Sequence, residues 1–174
     1  MPDPVDRDPA LSRLRHPSGL PAGVGMPPCG SCAWARPEFG ALRCVATGEG
    51  EEEGALLPPD CLGCAFWEPL PTCGPCGACC REAFDSVEVR VTDLRTLAHR
   101  PDRVVHHSDG WTDLRRIPSP TGSGTRCGSL GGDGAARPFR CDMYEDRPAA
   151  CSELEEGSWN CLFARRRAGV SPTP

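Results

Sequence analysis

The chain has 174 residues with 19 basic and 24 acidic side chains, a formal charge of −5, and 13 cysteines beside 20 glycines and 20 prolines. Leu, Ile, Val and Phe make up about 17% of it, under the roughly 20% expected of a chain that folds on its own apolar core, so covalent or metal staples are required. The charge offers no basic surface for nucleic acid, and no apolar run reaches the length of a membrane span.

Every basic residue is Arg, with no Lys and no Gln, a pattern of GC-rich coding that accounts for part of the Ala, Gly, Pro and Arg excess. The first residues, Met1-Pro2-Asp3-Pro4-Val5-Asp6-Arg7-Asp8, are not followed by an apolar run. They do not read as a secretory signal. The expectation is a cytoplasmic protein, where thiols stay reduced and bind metals. The odd cysteine count also fits poorly with a fully paired disulfide framework.

Residues 1–26 are rich in Pro, Gly and Arg without periodicity and are expected to be disordered. Residues 27–68 form a first cysteine module with Cys29, Cys32, Cys44, Cys61 and Cys64. Its middle, Gly48 to Gly54, reads as a solvated acidic loop. Glu68-Pro69-Leu70-Pro71-Thr72 is a stiff linker. Residues 73–168 form the second module, and 169–174 a frayed tail.

In the second module, Val87, Val89 and Val91 alternate with Glu88 and Arg90, which predicts a half-buried strand. Thr92 is placed to cap a short helix through Leu94, Leu97 and Ala98, stopped by Pro101. Val104-Val105 start another strand, with Gly110 in the turn after it. Gly131-Gly132-Asp133-Gly134 predicts a hairpin between Cys127 and Cys141. Pro148 suits the first turn of a helix bearing Cys151. Ser158 caps a helix to about Ala168 that holds Cys161 and ends in Arg165-Arg166-Arg167, where cations are favoured. The fold class expected is a small α+β protein, metal-stabilised and irregular. Short strands, a hairpin and two or three short helices would surround cysteine sites, preceded by an N-terminal CxxC knuckle module.

Eight cysteines of the second module carry its chemistry: Cys73, Cys76, Cys79, Cys80, Cys127, Cys141, Cys151 and Cys161. A CxxC turn sets two sulfurs on one side of a tight bend. Zinc takes four such ligands tetrahedrally. Gly74, Gly77 and Gly128 each follow a cysteine, where their N–H groups can meet thiolates. Eight ligands make two four-thiolate sites, or one cluster plus a zinc, and sulfur donors suit zinc and iron–sulfur alike. Adjacent side chains diverge, so Cys79-Cys80 predicts a bridge to a second metal and a paired centre.

The string Cys73-x-x-Cys76-x-x-Cys79-Cys80, then Cys127, then Cys141-x-x-Tyr144-x-x-Arg147-Pro148-x-x-Cys151, resembles the YkgJ-type CxxCxxCC family of bacterial zinc- or iron-chelating domains. The resemblance covers about residues 73–167, with Cys161 similar to the late cysteine that closes the family pattern. Thr125-Arg126 departs from it, where a glycine beside Cys127 is expected. The flagellin lysine methylase carries a similar cluster, so the resemblance also implies an enzymatic alternative.

In the first module, Cys29-x-x-Cys32 and Cys61-x-x-Cys64 read as two zinc knuckles, although the 28-residue gap is longer than in common zinc ribbons. Alternatively Cys29, Cys32, Cys44 and one of Cys61 and Cys64 resemble small cubane-binding modules of the high-potential iron–sulfur type. Either way one of the five is spare or shared. Trp34 and Trp67 pack in this small core or cover its metal.

Tyr144 reads as a packed aromatic or a shield for the cluster, and Arg147 as a second-shell partner of a thiolate or a surface residue. Asp142, Glu145 and Asp146 read as solvated charges. His99 sits at a helix end, and His106-His107 on a strand point to opposite faces. No serine–histidine–aspartate set, phosphate loop or HExxH is present. The expected function is metal binding, by zinc or an iron–sulfur cluster such as a four-iron cubane, at more than one centre. Its role would be structural, in protein interaction, or accessory to redox chemistry, with a protein partner and neither nucleic acid nor membrane. The alternative is a metal-dependent or iron–sulfur enzyme.

Overall fold

A computed structural model describes residues 15–50, 52–73, 76–81, 83–120 and 124–174. The chain divides into two compact units, the first of residues 1–71 with 172–174 and the second of residues 72–171.

In the first unit, β1 (Ala35–Glu38), β2 (Ala41–Cys44) and β3 (Ala55–Leu57) form one antiparallel sheet in that order. Glu38 faces Ala41 across the first turn. The two residues between them, Phe39 and Gly40, both have positive φ (47° and 82°), the handedness that two-residue hairpin turns require. Glu38 and Arg43 form an ion pair across the hairpin. Trp34, Val45, Ala46 and Leu57 fill the core, and Cys29, Cys44, Cys61 and Cys64 are buried beside them. Trp67 is held by its indole N–H, which donates to the Pro28 carbonyl.

The expected disordered segment 1–26 differs from the structure over its described part; residues 1–14 lie outside the described residues. Ala22 pairs with Cys64, and Gly23 N–H donates to the Gly63 carbonyl at 3.2 Å. His16 and Leu20 are buried. Backbone pairing to the second CxxC turn orders a segment whose composition alone predicts none.

The second unit is built from two-stranded ribbons. β4 (Val104–His106) pairs β5 (Thr112–Leu114), β6 (Arg116–Pro118) pairs β7 (Thr125–Cys127), and β8 (Leu130–Gly131) pairs β9 (Arg140–Cys141), all antiparallel. Among the described residues, three α-helices accompany them: α1 (Leu94–His99), α2 (Ala149–Ser152) and α3 (Trp159–Arg167). With its short antiparallel strands and few short helices, the protein is a small α+β fold. One hydrophobic cluster forms from Val89, Val104, Leu114, Cys127, Leu130 and Met143.

Most local signals appear where the sequence places them. The Gly131–Gly134 turn closes the β8–β9 hairpin. Ser158 caps α3, its hydroxyl accepting from Cys161 N–H at 3.2 Å. The strand expected over Val87–Val91 does not form. Only an isolated bridge, Glu88 to Asp113, is made. Val89 is buried while Val91 is 86% exposed. Alternation alone cannot make a strand when the neighbouring ribbon offers an edge three residues long. Asp93 rather than Thr92 is the N-cap of α1. The tail also differs from expectation through Ser171, which is buried and accepts from Arg165 Nε at 3.0 Å.

Asp93 joins two helix starts. One carboxylate oxygen accepts from Arg90 N–H at 2.7 Å and the other from Ala149 N–H at 2.8 Å, the first residue of α2. The four-residue α2 carries Cys151 and has no side-chain cap of its own, so Asp93 caps it from a distance. Replacing Asp93 with Ala is expected to lower the denaturation free energy by about 1 kcal/mol. Asp93→Asn should recover most of that loss. Chemical denaturation of the metal-loaded chain checks both.

Candidate metal centres

Four cysteines of the second unit converge on its hydrophobic cluster. Cys127, at the end of β7, belongs to it, and Cys80, Cys141 and Cys151 pack against it. They come from separate elements: the 3-10 turn Ala78–Cys80, the end of β9, and α2. Burial raises the Cys151 thiol to about 12, and the nearby charges of Cys127, Cys79 and Cys141 push it the same way. Burial likewise raises Cys141, with Cys127 again among the neighbours. Cys80 is driven well above the ordinary thiol range by its hydrogen bond with Cys79 and by burial, then by the charges of Cys79, Cys127 and Cys151. Cys79, Cys80, Cys127, Cys141 and Cys151 therefore feel one another's charge, while among the described residues no three of these sulfurs lie within 4.8 Å of one another.

The remaining cysteines of the octet join Cys161. Cys73 is raised by burial, then by the charges of Cys79, Glu156, Cys161 and Cys76. Cys161 is raised by burial, then by Cys76 and Cys79. The helix α3, which bears Cys161, packs on the Ala78–Cys80 turn. Gly77 sets up that turn: its φ is +60°, and a Cβ there would lie 2.9 Å from the Cβ of Phe139. Only glycine fits both the handedness and the approach. The Cys79 sulfur lies 3.9 Å from that of Cys80, and its charge also acts on Cys73 and Cys161. Its thiol is lowered to about 7, chiefly by the Cys80 hydrogen bond, with help from Arg147.

Two arginines face these sulfurs. Arg147 lies with its guanidinium carbon 3.9 Å from the centre of the Tyr144 ring. Its charge draws down the thiols of Cys79, Cys141 and Cys151. Arg165 donates from Nη1 to Cys76 Sγ at 3.2 Å. Cys161 and Arg165 are four residues apart on α3 and share a face. Sequence reading assigned the Arg165–Arg167 run to the helix end and missed this contact; the four-residue spacing from Cys161 was the available signal.

Other sequence candidates have partners elsewhere. Asp142 pairs with Arg100 and Arg103, and Asp146 with Arg95 and His99. His107 meets Asp113, and His106 meets the Thr112 hydroxyl. The Gly128 N–H donates to the Arg115 carbonyl at 2.8 Å, not to a thiolate. Gly74 lies outside the described residues.

The donor sets fit a soft or borderline metal. Each offers several sulfurs, and a bound cation would offset the cost of burying them as thiolates. Cys79, Cys80, Cys127 and Cys151 line a cavity of about 440 Å³, with Tyr144 and Arg147 also on its wall.

In the first unit, burial raises Cys32 and Cys44, and the charge of Cys64 acts on both. Cys29 and Cys61 lie with a residue that sequence reading missed, His16. Its Nε2 is 3.1 Å from Cys29 Sγ and 3.2 Å from Cys61 Sγ. Among the described residues, this is the one set of three metal-donor side chains whose ligand atoms all lie within 4.8 Å of each other. No local signal marks His16, because its partners are 13 and 45 residues away.

The CxxCxxCC family, described as a putative zinc- or iron-chelating domain, matches residues 72–165, more than half of the chain. The chain belongs to this family. Comparison with curated proteins and with solved structures gives no match.

The thiol shifts fix the direction of a pH dependence. A thiol raised by burial contributes to the stability of the metal-free fold below the ordinary thiol value near 9 and loses that contribution as pH climbs toward about 12. Metal reverses the sign, since the loaded fold holds thiolates where the unfolded chain holds protons. The metal-loaded chain should therefore gain stability from pH 6 to pH 9. The chelator-stripped, reduced chain should show no such gain from its raised thiols and should weaken above pH 9. Denaturation midpoints of both forms across this range are the measurement.

Proposed function

We propose that this chelating-domain protein binds metal at a pair of adjacent four-thiolate centres in its second unit. One centre uses Cys73, Cys76, Cys79 and Cys161; the other uses Cys80, Cys127, Cys141 and Cys151. Two observations support this reading: Cys127 belongs to the hydrophobic cluster with Cys80, Cys141 and Cys151 packed against it, and Cys76 meets Arg165 of α3, four residues from Cys161. A third centre lies in the N-terminal CxxC module, drawing on Cys29, Cys32, Cys44, Cys61 and Cys64. Closed sets of four thiolates are the donor set of structural zinc. The protein then serves a structural or interaction role, with metal supplying much of its folding free energy and a protein partner using the surface that results.

A second reading rests on the cavity of about 440 Å³ beside the thiols. That volume is in the range of small-molecule sites and exceeds what a closed zinc site needs. It favours an iron–sulfur or metal-dependent enzyme, or an accessory domain of one, akin to the flagellin lysine methylase.

Anaerobic purification with metal analysis and a visible spectrum on one sample separates the readings. A colourless protein with at least two zincs per chain supports the first, and Cys151→Ser and Cys161→Ser should each remove one metal. Several irons per chain with broad visible absorption would sink it. Arg147 acts on the thiolates without touching the metal, so Arg147→Gln should weaken metal affinity by about 10- to 100-fold with the fold retained. Competition with a chromogenic chelator measures that change.

A further inference from the structure

The N-terminal unit holds five cysteines, and four tetrahedral ligands leave one over. The structure adds a nitrogen donor. We propose that His16 is a metal ligand, forming with Cys29 and Cys61 a mixed nitrogen–sulfur site for a borderline divalent cation such as zinc. This rests on the reading that the N-terminal unit binds metal. It changes that site from all-sulfur to imidazole–thiolate.

Three observations carry the proposal. The first is convergence. Nε2 of His16 lies 3.1 Å from Cys29 Sγ and 3.2 Å from Cys61 Sγ. Zinc bonds of about 2.0 Å to nitrogen and 2.3 Å to sulfur imply tetrahedral N···S separations of about 3.5 Å, so the donors need only spread by a few tenths of an ångström. The second is burial. His16 and Cys29 are each 4% exposed and Cys61 is 9% exposed, in a chain where every other histidine is exposed. Burial also lowers the His16 pKa, which favours the neutral imidazole that binds metals.

The third is that the ring is held from behind. Nδ1 lies 2.6 Å from the Ser18 hydroxyl and accepts from the Ser18 backbone N–H at 3.1 Å. These contacts orient the ring, and metal at Nε2 would move the ring proton to Nδ1, where the Ser18 hydroxyl can accept it. The backbone closes a tight turn at the same place: Gly19 N–H donates to the His16 carbonyl at 2.8 Å, and His16 N–H to the Leu20 carbonyl at 2.9 Å. On the opposite wall, Cys29 N–H donates to the Cys61 carbonyl at 2.8 Å, which fixes the two cysteines side by side. The fourth ligand comes from Cys32, Cys44 or Cys64.

The competing role for His16 is to donate an N–H hydrogen bond to the two sulfurs, with no bond to metal. Cobalt(II) distinguishes the two, because its d–d bands report the ligand set. The full-length chain is stripped of metal and titrated anaerobically with Co²⁺ in four forms: wild type, His16→Ala, His16→Cys and Cys29→Ser. The proposal expects His16→Cys to keep the cobalt stoichiometry and to shift the d–d bands to lower energy, as thiolate replaces imidazole. It expects His16→Ala to weaken cobalt binding at one centre at least tenfold. His16→Cys keeps a donor in place, so the question stays answerable even if His16→Ala does not fold. If both His16 variants show wild-type spectra and affinities while Cys29→Ser loses one cobalt, the N-terminal centre stands and His16 is not its ligand. If Cys29→Ser loses nothing either, there is no metal in the N-terminal unit and both ideas fall together.

Discussion

The rest of the structure depends on the cost of crowding sulfurs in a chain with little else to bury. Thiols are good core residues while protonated and poor ones as thiolates, because burial and mutual repulsion both disfavour the charge. In the second unit this conflict sits inside the hydrophobic cluster itself. Cys127 is one of its six buried members, and three more cysteines pack against it. The elements that deliver them are too short to stand alone: two- and three-residue strands and a four-residue helix. A cation at their meeting point would neutralise the charge and tie these elements together in one step. Side chains that are marginal as a core are then sufficient as a ligand shell.

The surroundings of the sulfurs follow from the same constraint. Two arginines approach from different elements, Arg147 just before α2 and Arg165 on the last turn of α3. Arg165 points at Cys76, and Arg147 is stacked on Tyr144. Partial positive charge of this kind lowers the cost of thiolates but cannot replace a metal, since most of the thiols remain raised despite it. Two of the acidic residues nearby are drawn off by other partners. Asp142 and Asp146 are occupied by Arg95, Arg100, Arg103 and His99, whereas Glu155 and Glu156 line the cavity together with the cysteines.

What was legible in the sequence was local. The octet, the hairpin glycines, the Ser158 cap and the Cys141–Cys151 string are all short-range patterns, and the family match at residues 72–165 rests on the same residues. What was not legible depended on distant partners. A strand at Val87–Val91 needs a long neighbouring edge, which β5 does not offer. The cap of α2 comes from Asp93, 56 residues earlier. His16 sits in a segment whose composition reads as disorder, and only pairing with the Cys61–Cys64 turn places it. The grouping of the cysteines is of this second kind, because spacing alone does not divide eight ligands between two centres.

The adjacency of Cys79 and Cys80 is where local pattern and distant packing meet. Neighbouring residues direct their side chains apart, and here that divergence is used. The Ala78–Cys80 turn, positioned by the left-handed Gly77, packs against α3 and sets the Cys80 side chain against the hydrophobic cluster. The two sulfurs remain 3.9 Å apart, close enough for one proton to hold the pair, with Cys79 lowered and Cys80 raised. Ionising one makes ionising the other harder. A cation bound at either sulfur would offset that repulsion.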